Sequence, residues 1–188
     1  LPPPGMLSER RRNMQRLICS YPSGSREILN YLQNWVGVPS THLVIGNGVS
    51  EIIAMIKRRL VRRIAIPVPT FNEYYDGLAD DQLHFYFSEK DDFVINPTAF
   101  ADAVEASGAN VAVLVNPDLP SGRLLGKTDI TALLKRLAHL ELIVVDESFI
   151  EFSDDGDINS LLADLNEHAN LLVIRSLSKD LGIPGLRL

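Results

Sequence analysis

Several short apolar runs in this chain show no alternation of polar and apolar residues, and that constrains the fold more than anything else in it. Val111-Ala112-Val113-Leu114-Val115 is the plainest; Leu142 to Val145 and Leu171 to Ile174 are similar. A strand with one face in water alternates, so a run apolar at every position needs cover on both faces. Arg63 to Val68, Leu83 to Phe87 and a short run from His42 to Ile45 complete the predicted strands. Helical patterns lie between them, at about Ser50 to Leu60, Asn72 to Leu78, Thr98 to Ala106 and Thr128 to Leu140. An earlier helix is capped by Ser25, has Ile28, Leu29, Leu32, Trp35 and Val36 on its apolar face, and ends at Gly37. Strands alternating with helices imply an α/β fold, a mostly parallel sheet covered by helices on both sides.

At 188 residues the chain is long enough for one substantial core, and 46% hydrophobic with 22% charged residues is ordinary for a globular domain. A formal net charge of -6 provides no electrostatic footprint for nucleic acid or an anionic membrane. The short basic run Arg10-Arg11-Arg12 reads as a solvated face. The single cysteine, Cys19, cannot form an internal disulfide and fits a cytoplasmic protein. No apolar run is long enough to span a bilayer, and no signal segment opens the chain. Leu1-Pro2-Pro3-Pro4-Gly5 is expected to be extended or disordered, and the missing initiator methionine suggests a piece of a longer protein.

In open α/β sheets, ligands bind beyond the carboxyl ends of the strands. Those ends read as follows. After Ile45 comes Gly46-Asn47-Gly48-Val49-Ser50, a glycine turn feeding a helix. Phe71 follows the run that ends at Val68, Asn116-Pro117 follows Val115, and Asp146-Glu147-Ser148-Phe149 follows Val145. Arg175-Ser176-Leu177-Ser178-Lys179 follows Ile174, with Gly185-Leu186-Arg187 shortly beyond. Each has a bland alternative: a turn, a core aromatic, an Asn-Pro turn, a loop-capping acid, a surface lysine. Together they offer an anion nest, an aromatic face, an amide, a carboxylate, and a lysine with hydroxyls. That set suits a planar, phosphorylated ligand with a cationic ring and an aldehyde, and no metal is implied. A lysine beside phosphate-holding groups is what Schiff-base chemistry requires.

The motifs Ser-x-Ser-Lys with Gly-x-Arg, Asn-Pro-x-x-Pro-Ser-Gly and Asp-Glu-x-Phe occur in one order from Tyr21-Pro22 to Arg187. In this the chain resembles the large domain of fold type I, pyridoxal-phosphate-dependent aminotransferases, and within them the histidinol-phosphate aminotransferase-like subgroup. The resemblance implies the three-layer α/β/α, aspartate aminotransferase-like fold. It also implies an N-terminal arm over residues 1–20 and a cofactor-binding domain over 21–188, ending before a smaller C-terminal domain.

By that resemblance Lys179 forms the Schiff base with pyridoxal 5'-phosphate and moves the substrate proton. Asp146 pairs with the ring nitrogen, Asn116 donates to the phenolic oxygen, and Phe71 stacks on the ring. Ser176, Ser178 and Arg187 hold the phosphate with the glycine turn, Gly48, and the amides of Val49 and Ser50. Tyr21 reaches the partner's cofactor across a homodimer interface. Phe149 stands where many relatives have tyrosine, which leaves Asn116 more nearly alone at the phenolic oxygen.

The implied activity is amino transfer between an amino acid or amino-phosphate compound and a 2-oxo acid, on small-molecule substrates. A decarboxylase of the same fold, of the threonine-phosphate decarboxylase type, uses the same lysine and acid. A noncatalytic dimerisation domain has no physical reason to keep Lys179, Asp146, Asn116 and Arg187. A nucleotide-binding domain built on Gly46-Asn47-Gly48 lacks the spacing of either phosphate-loop motif.

Overall fold

A computed structural model describes residues 5–19, 21, 24–88 and 92–183. Five strands form one sheet: β1 (Ile64–Val68), β2 (Leu83–Phe87), β3 (Val111–Val115), β4 (Leu142–Asp146) and β5 (Leu171–Ile174). Their order is β2-β1-β3-β4-β5 and each described pairing is parallel. Seven α-helices are described: α1 (Met6–Ile18), α2 (Ser25–Val36), α3 (Val49–Arg59), α4 (Pro97–Ser107), α5 (Lys127–Arg136), α6 (Gly156–Asn159) and α7 (Leu177–Asp180).

The apolar runs are covered as their composition requires. Ala112 and Leu114 of β3 turn to one face, where Phe100 and Val104 of α4 and Ile130 and Leu134 of α5 lie. Val111, Val113 and Val115 turn to the other, with Ile53 and Ile56 of α3 and with Tyr74. The two-residue period of the strand thus feeds two cores at once. Asn96 caps α4 by accepting the Ala99 N–H at 3.0 Å, and Pro97 occupies the first turn, where no N–H is needed. Gly37 and Gly108 end α2 and α4 at φ 70° and 68°.

Four local expectations are corrected. His42 to Ile45 is not a strand: Ser40–His42 is a 3-10 turn, and Leu43 to Ile45 finds no ladder partner among the described residues. Ser25 is the first residue of α2, and Gly24 occupies the cap position without a side-chain bond. Asn72 to Leu78 forms only the 3-10 turn Asn72–Tyr74 and a following turn, because Gly77 adopts φ 80°. The helix predicted to reach Leu140 ends at Arg136, and Leu137 and Leu140 are buried in the turns beyond it. Within residues 1–20, the segment read as an arm, Met6–Ile18 is helical. No helix among the described residues is long and apolar enough to cross a membrane.

Burial separates the sheet-packed helices from α2, which has no buried residue. Leu134→Ala, at a position 0% exposed, should destabilise the fold by about 2–5 kcal/mol. Tyr31→Ala in α2, at 69% exposure, should change it by less than about 0.5 kcal/mol. Urea unfolding of both variants tests the contrast.

Candidate active site

Because the strands are parallel, their carboxyl ends share one edge of the sheet. The chain runs from β1 outward to β2 and then returns to β3 on the other side, so its direction reverses at the β1/β3 boundary. A crevice opens at such a reversal. Phe71 and Tyr74 stand beyond β1 and Asn116 beyond β3; Asp146 ends β4, and Ser176, Ser178 and Lys179 follow β5.

Asp146 is buried, at 4% exposure. Its Oδ1 accepts the Ser148 N–H at 2.9 Å, and its Oδ2 accepts the Tyr74 hydroxyl at 2.7 Å. Neither donor is charged, and no salt bridge to Asp146 occurs among the described residues. A buried carboxylate without a countercharge is costly, and it favours a cationic group brought to its open side. The Tyr74 phenol is held well above its ordinary range by burial first, then by the charge of Asp146 and the bond to it. It therefore remains a neutral donor.

Lys179 lies in α7, with Nζ 3.8 Å from the centroid of the Phe149 ring. Burial pushes its ammonium down from the ordinary lysine range, while the charges of Asp146 and Asp180 act in the opposite direction. A lysine that sheds its proton more readily is the nucleophile an aldehyde needs. The described neighbours that act on it electrostatically are acids, so the downward shift comes from desolvation.

Arg175, at the start of the same loop, gathers three carboxylates. Glu147 lies 3.6 Å away, Asp180 3.7 Å, and Glu151 in close contact. Glu147 also accepts the Leu161 N–H at 2.7 Å and the Ser160 hydroxyl at 2.8 Å, tying the loop after β4 to the segment before β5. Sequence reasoning missed this cluster and also the role of Tyr74. An arginine directly after a buried strand and an acid directly after Lys179 were the available signals.

Asn116 is 1% exposed and grips the backbone of Leu125. Its Oδ1 accepts the Leu125 N–H at 2.8 Å and its Nδ2 donates to the Leu125 carbonyl at 3.2 Å. One amide hydrogen remains for another acceptor. Phe71 meets the Tyr74 ring edge-on at 6.3 Å and 84°. Gly48, at φ 84°, opens α3, whose first amides, those of Val49 and Ser50, have no acceptor within the helix. Gly48, Val49 and Ser176 line one cavity of about 450 Å³ that continues along the free edge of β5. The hydroxyls of Ser176 and Ser178 are 3.4 Å apart. The carboxylate of Glu51 folds back onto the Asn47 amide beside this helix start. Tyr21 is fully exposed, and Arg187 lies outside the described residues.

A parallel sheet with a lysine, a buried acid and an amide at its carboxyl edge defines a cofactor-binding α/β domain. The sequence matches the family described as Aminotransferase class I and II over residues 6–188. It is 32% identical over 180 residues to the L-serine phosphate decarboxylase of Sulfurospirillum multivorans, covering 93% of this chain and 46% of that protein. It is 34% identical over 172 residues to the histidinol-phosphate aminotransferase of Oleidesulfovibrio alaskensis, covering 88% of this chain and 44% of the relative. The solved structure of a decarboxylase from Sulfurospirillum multivorans matches with a TM-score of 0.83 at 29% identity, over 97% of this chain and 48% of that one. The chain thus belongs to the aminotransferase class I and II family and spans about half the length of these relatives. The family's cofactor is pyridoxal 5'-phosphate. The residues present fit that group: Asp146 is a buried acid with no salt bridge among the described residues, and Lys179 has its charged form disfavoured.

The acid cluster around Arg175 sets a pH dependence. Burial raises the Asp180 carboxyl from 3.8 to about 6, with Arg175 opposing the shift. The folded chain therefore binds this proton more tightly than the unfolded one. Its contribution to stability is complete below about pH 4 and is lost as pH rises towards about 6. Asp180→Asn should remove that decline. The stability difference between variant and parent, followed by thermal unfolding from pH 4 to 7, should shift in favour of the variant up to about pH 6 and then level off.

Proposed function

We propose that this chain carries the cofactor-binding half of an enzyme that transfers an amino group between an amino acid or amino-phosphate compound and a 2-oxo acid. The observation that carries the reading is the buried carboxyl of Asp146, with no salt bridge among the described residues, on the strand next to the one that leads to Lys179. When bound, pyridoxal 5'-phosphate supplies an aldehyde for an amine and an electron sink for the bond broken beside it.

The chain's own residues would do the rest. Lys179 Nζ, partly deprived of water, would hold the cofactor at its aldehyde carbon and, when substrate takes that place, take and return the proton at the substrate carbon. Asp146 would pair with the ring N–H, and Phe71 would cover the ring. The free Nδ2 hydrogen of Asn116 would reach the phenolic oxygen. Ser176, Ser178 and the amides of Val49 and Ser50 would hold the phosphate, with Arg187 joining them through a guanidinium fork suited to two oxygens. Tyr21, fully exposed, would serve a second subunit in a homodimer.

A second reading, decarboxylation of a phosphorylated amino acid, is favoured by the similarity to an L-serine phosphate decarboxylase. It uses the same lysine and acid. Amino transfer to 2-oxoglutarate supports the first reading; carbon dioxide release from a phosphorylated amino acid supports the second.

The full-length protein mixed with pyridoxal 5'-phosphate should develop a visible absorption band, and borohydride should then fix the cofactor to Lys179, as read by peptide mass spectrometry. Lys179→Ala should lose the band and at least about 10³-fold in turnover. An unchanged spectrum in Lys179→Ala removes the lysine from its role.

A further inference from the structure

The turn that carries Phe71 also carries Tyr74, a residue with no role in the reading above. Tyr74 is 1% exposed, and its hydroxyl ends on Asp146 Oδ2 at 2.7 Å. The other carboxylate oxygen is fixed by the Ser148 amide at 2.9 Å. The torsion that turns a carboxylate is soft, so a single contact leaves it free to rotate. Two donors on opposite oxygens fix its plane and leave on each oxygen a lone pair with a set direction.

The turn itself is anchored. Lys57 of α3 donates to the carbonyls of Glu73 and Asp76 at 2.6 and 2.7 Å, and the Tyr74 N–H reaches the Phe71 carbonyl at 3.4 Å. The Phe71 and Tyr74 rings meet edge-on. Moving either ring therefore moves the other. The residue expected to cover the cofactor ring and the residue that holds the acid facing it belong to one rigid unit.

We infer that Tyr74 is a positioning residue whose hydroxyl aims the Asp146 carboxylate at the ring nitrogen of the bound cofactor. The inference rests on the reading that Asp146 pairs with that nitrogen. It differs from a packing role in one respect: the benefit of Tyr74 is felt only by a ring that has an N–H to offer.

The test compares equilibrium binding of two ligands by the full-length protein. One is pyridoxal 5'-phosphate; the other is its 1-deaza analogue, in which a C–H replaces the ring nitrogen. The wild type should prefer the natural cofactor, and Tyr74→Phe should reduce that preference by about tenfold, as expected for a bond to a charged group. Affinity for the analogue should stay within about twofold. 4-Aminophenylalanine in place of Tyr74 restores a donor on the same ring and should restore the preference. If Tyr74→Phe does not fold, 4-fluorophenylalanine fills the hydroxyl volume without a donor and takes its place. A wild type that prefers the natural cofactor and a variant that prefers it equally would overturn the inference and leave the role of Asp146 standing. Equal weakening for both ligands makes Tyr74 a packing residue and also overturns it. A wild type without preference removes the pairing by Asp146, and the inference falls with it.

Discussion

The carboxylate of Asp146 is the group around which the carboxyl edge of the sheet is organised. A buried acid at 4% exposure needs hydrogen-bond partners, and β4 delivers it to a place where two donors are fixed: the Ser148 amide from its own loop and the Tyr74 hydroxyl from the loop after β1. Strand order makes this possible. With β3 between β1 and β4, the loop after β1 must lean across the end of β3 to reach Asp146, and the Phe71 ring stays in edge-on contact with Tyr74. A buried polar group that loses a partner is penalised far more than a satisfied one is rewarded, so these contacts specify the geometry more than they add stability.

A second set of charges holds the neighbouring strand end. Arg175 leaves β5 and is surrounded by Glu147, Glu151 and Asp180, which ties the loop after β4 to the helix that carries Lys179. Three acids around one arginine leave excess negative charge, and burial answers it by making Asp180 easier to protonate. The same excess acts on Lys179, where Asp180 and Asp146 favour the ammonium and burial disfavours it. The net downward shift of the lysine is what remains after burial outweighs the two acids. Binding a cation opposite Asp146 would cancel one of the two opposing charges and push the lysine further towards the free amine.

The strands from Arg63 onward were legible because apolar runs without alternation have one physical meaning, and five of the six predicted strands form the sheet. His42 to Ile45 failed although it has similar composition, since a strand also requires a partner edge, which composition does not encode. Asn72 to Leu78 failed because Tyr74 is drawn inward to Asp146 and Gly77 takes a left-handed turn, both tertiary facts. The placement of Lys179, Asp146, Asn116 and Phe71 at the carboxyl edge was legible because each lies at a strand end or within a few residues of one. Tyr74 and Arg175 were not, because their partners lie 72 residues away for Tyr74 and 24 or more for Arg175 when Glu147 and Glu151 are counted.

Asn116 and Phe149 offer the carboxyl edge of the sheet different kinds of contact. Phe149 has no O–H to donate, so a donor has to come from another side chain. The Leu125 N–H engages Asn116 Oδ1 and thereby fixes which end of the amide is the carbonyl. The remaining Nδ2 hydrogen is then a donor of set direction, at a residue almost fully removed from water. The Phe149 ring meanwhile presents its face to Lys179 Nζ at 3.8 Å, an attraction that a ring offers to an ammonium and withdraws from a neutral amine. The two side chains thus differ in kind: the aromatic ring steadies the charged form of the lysine, and the amide keeps one directed hydrogen for an acceptor.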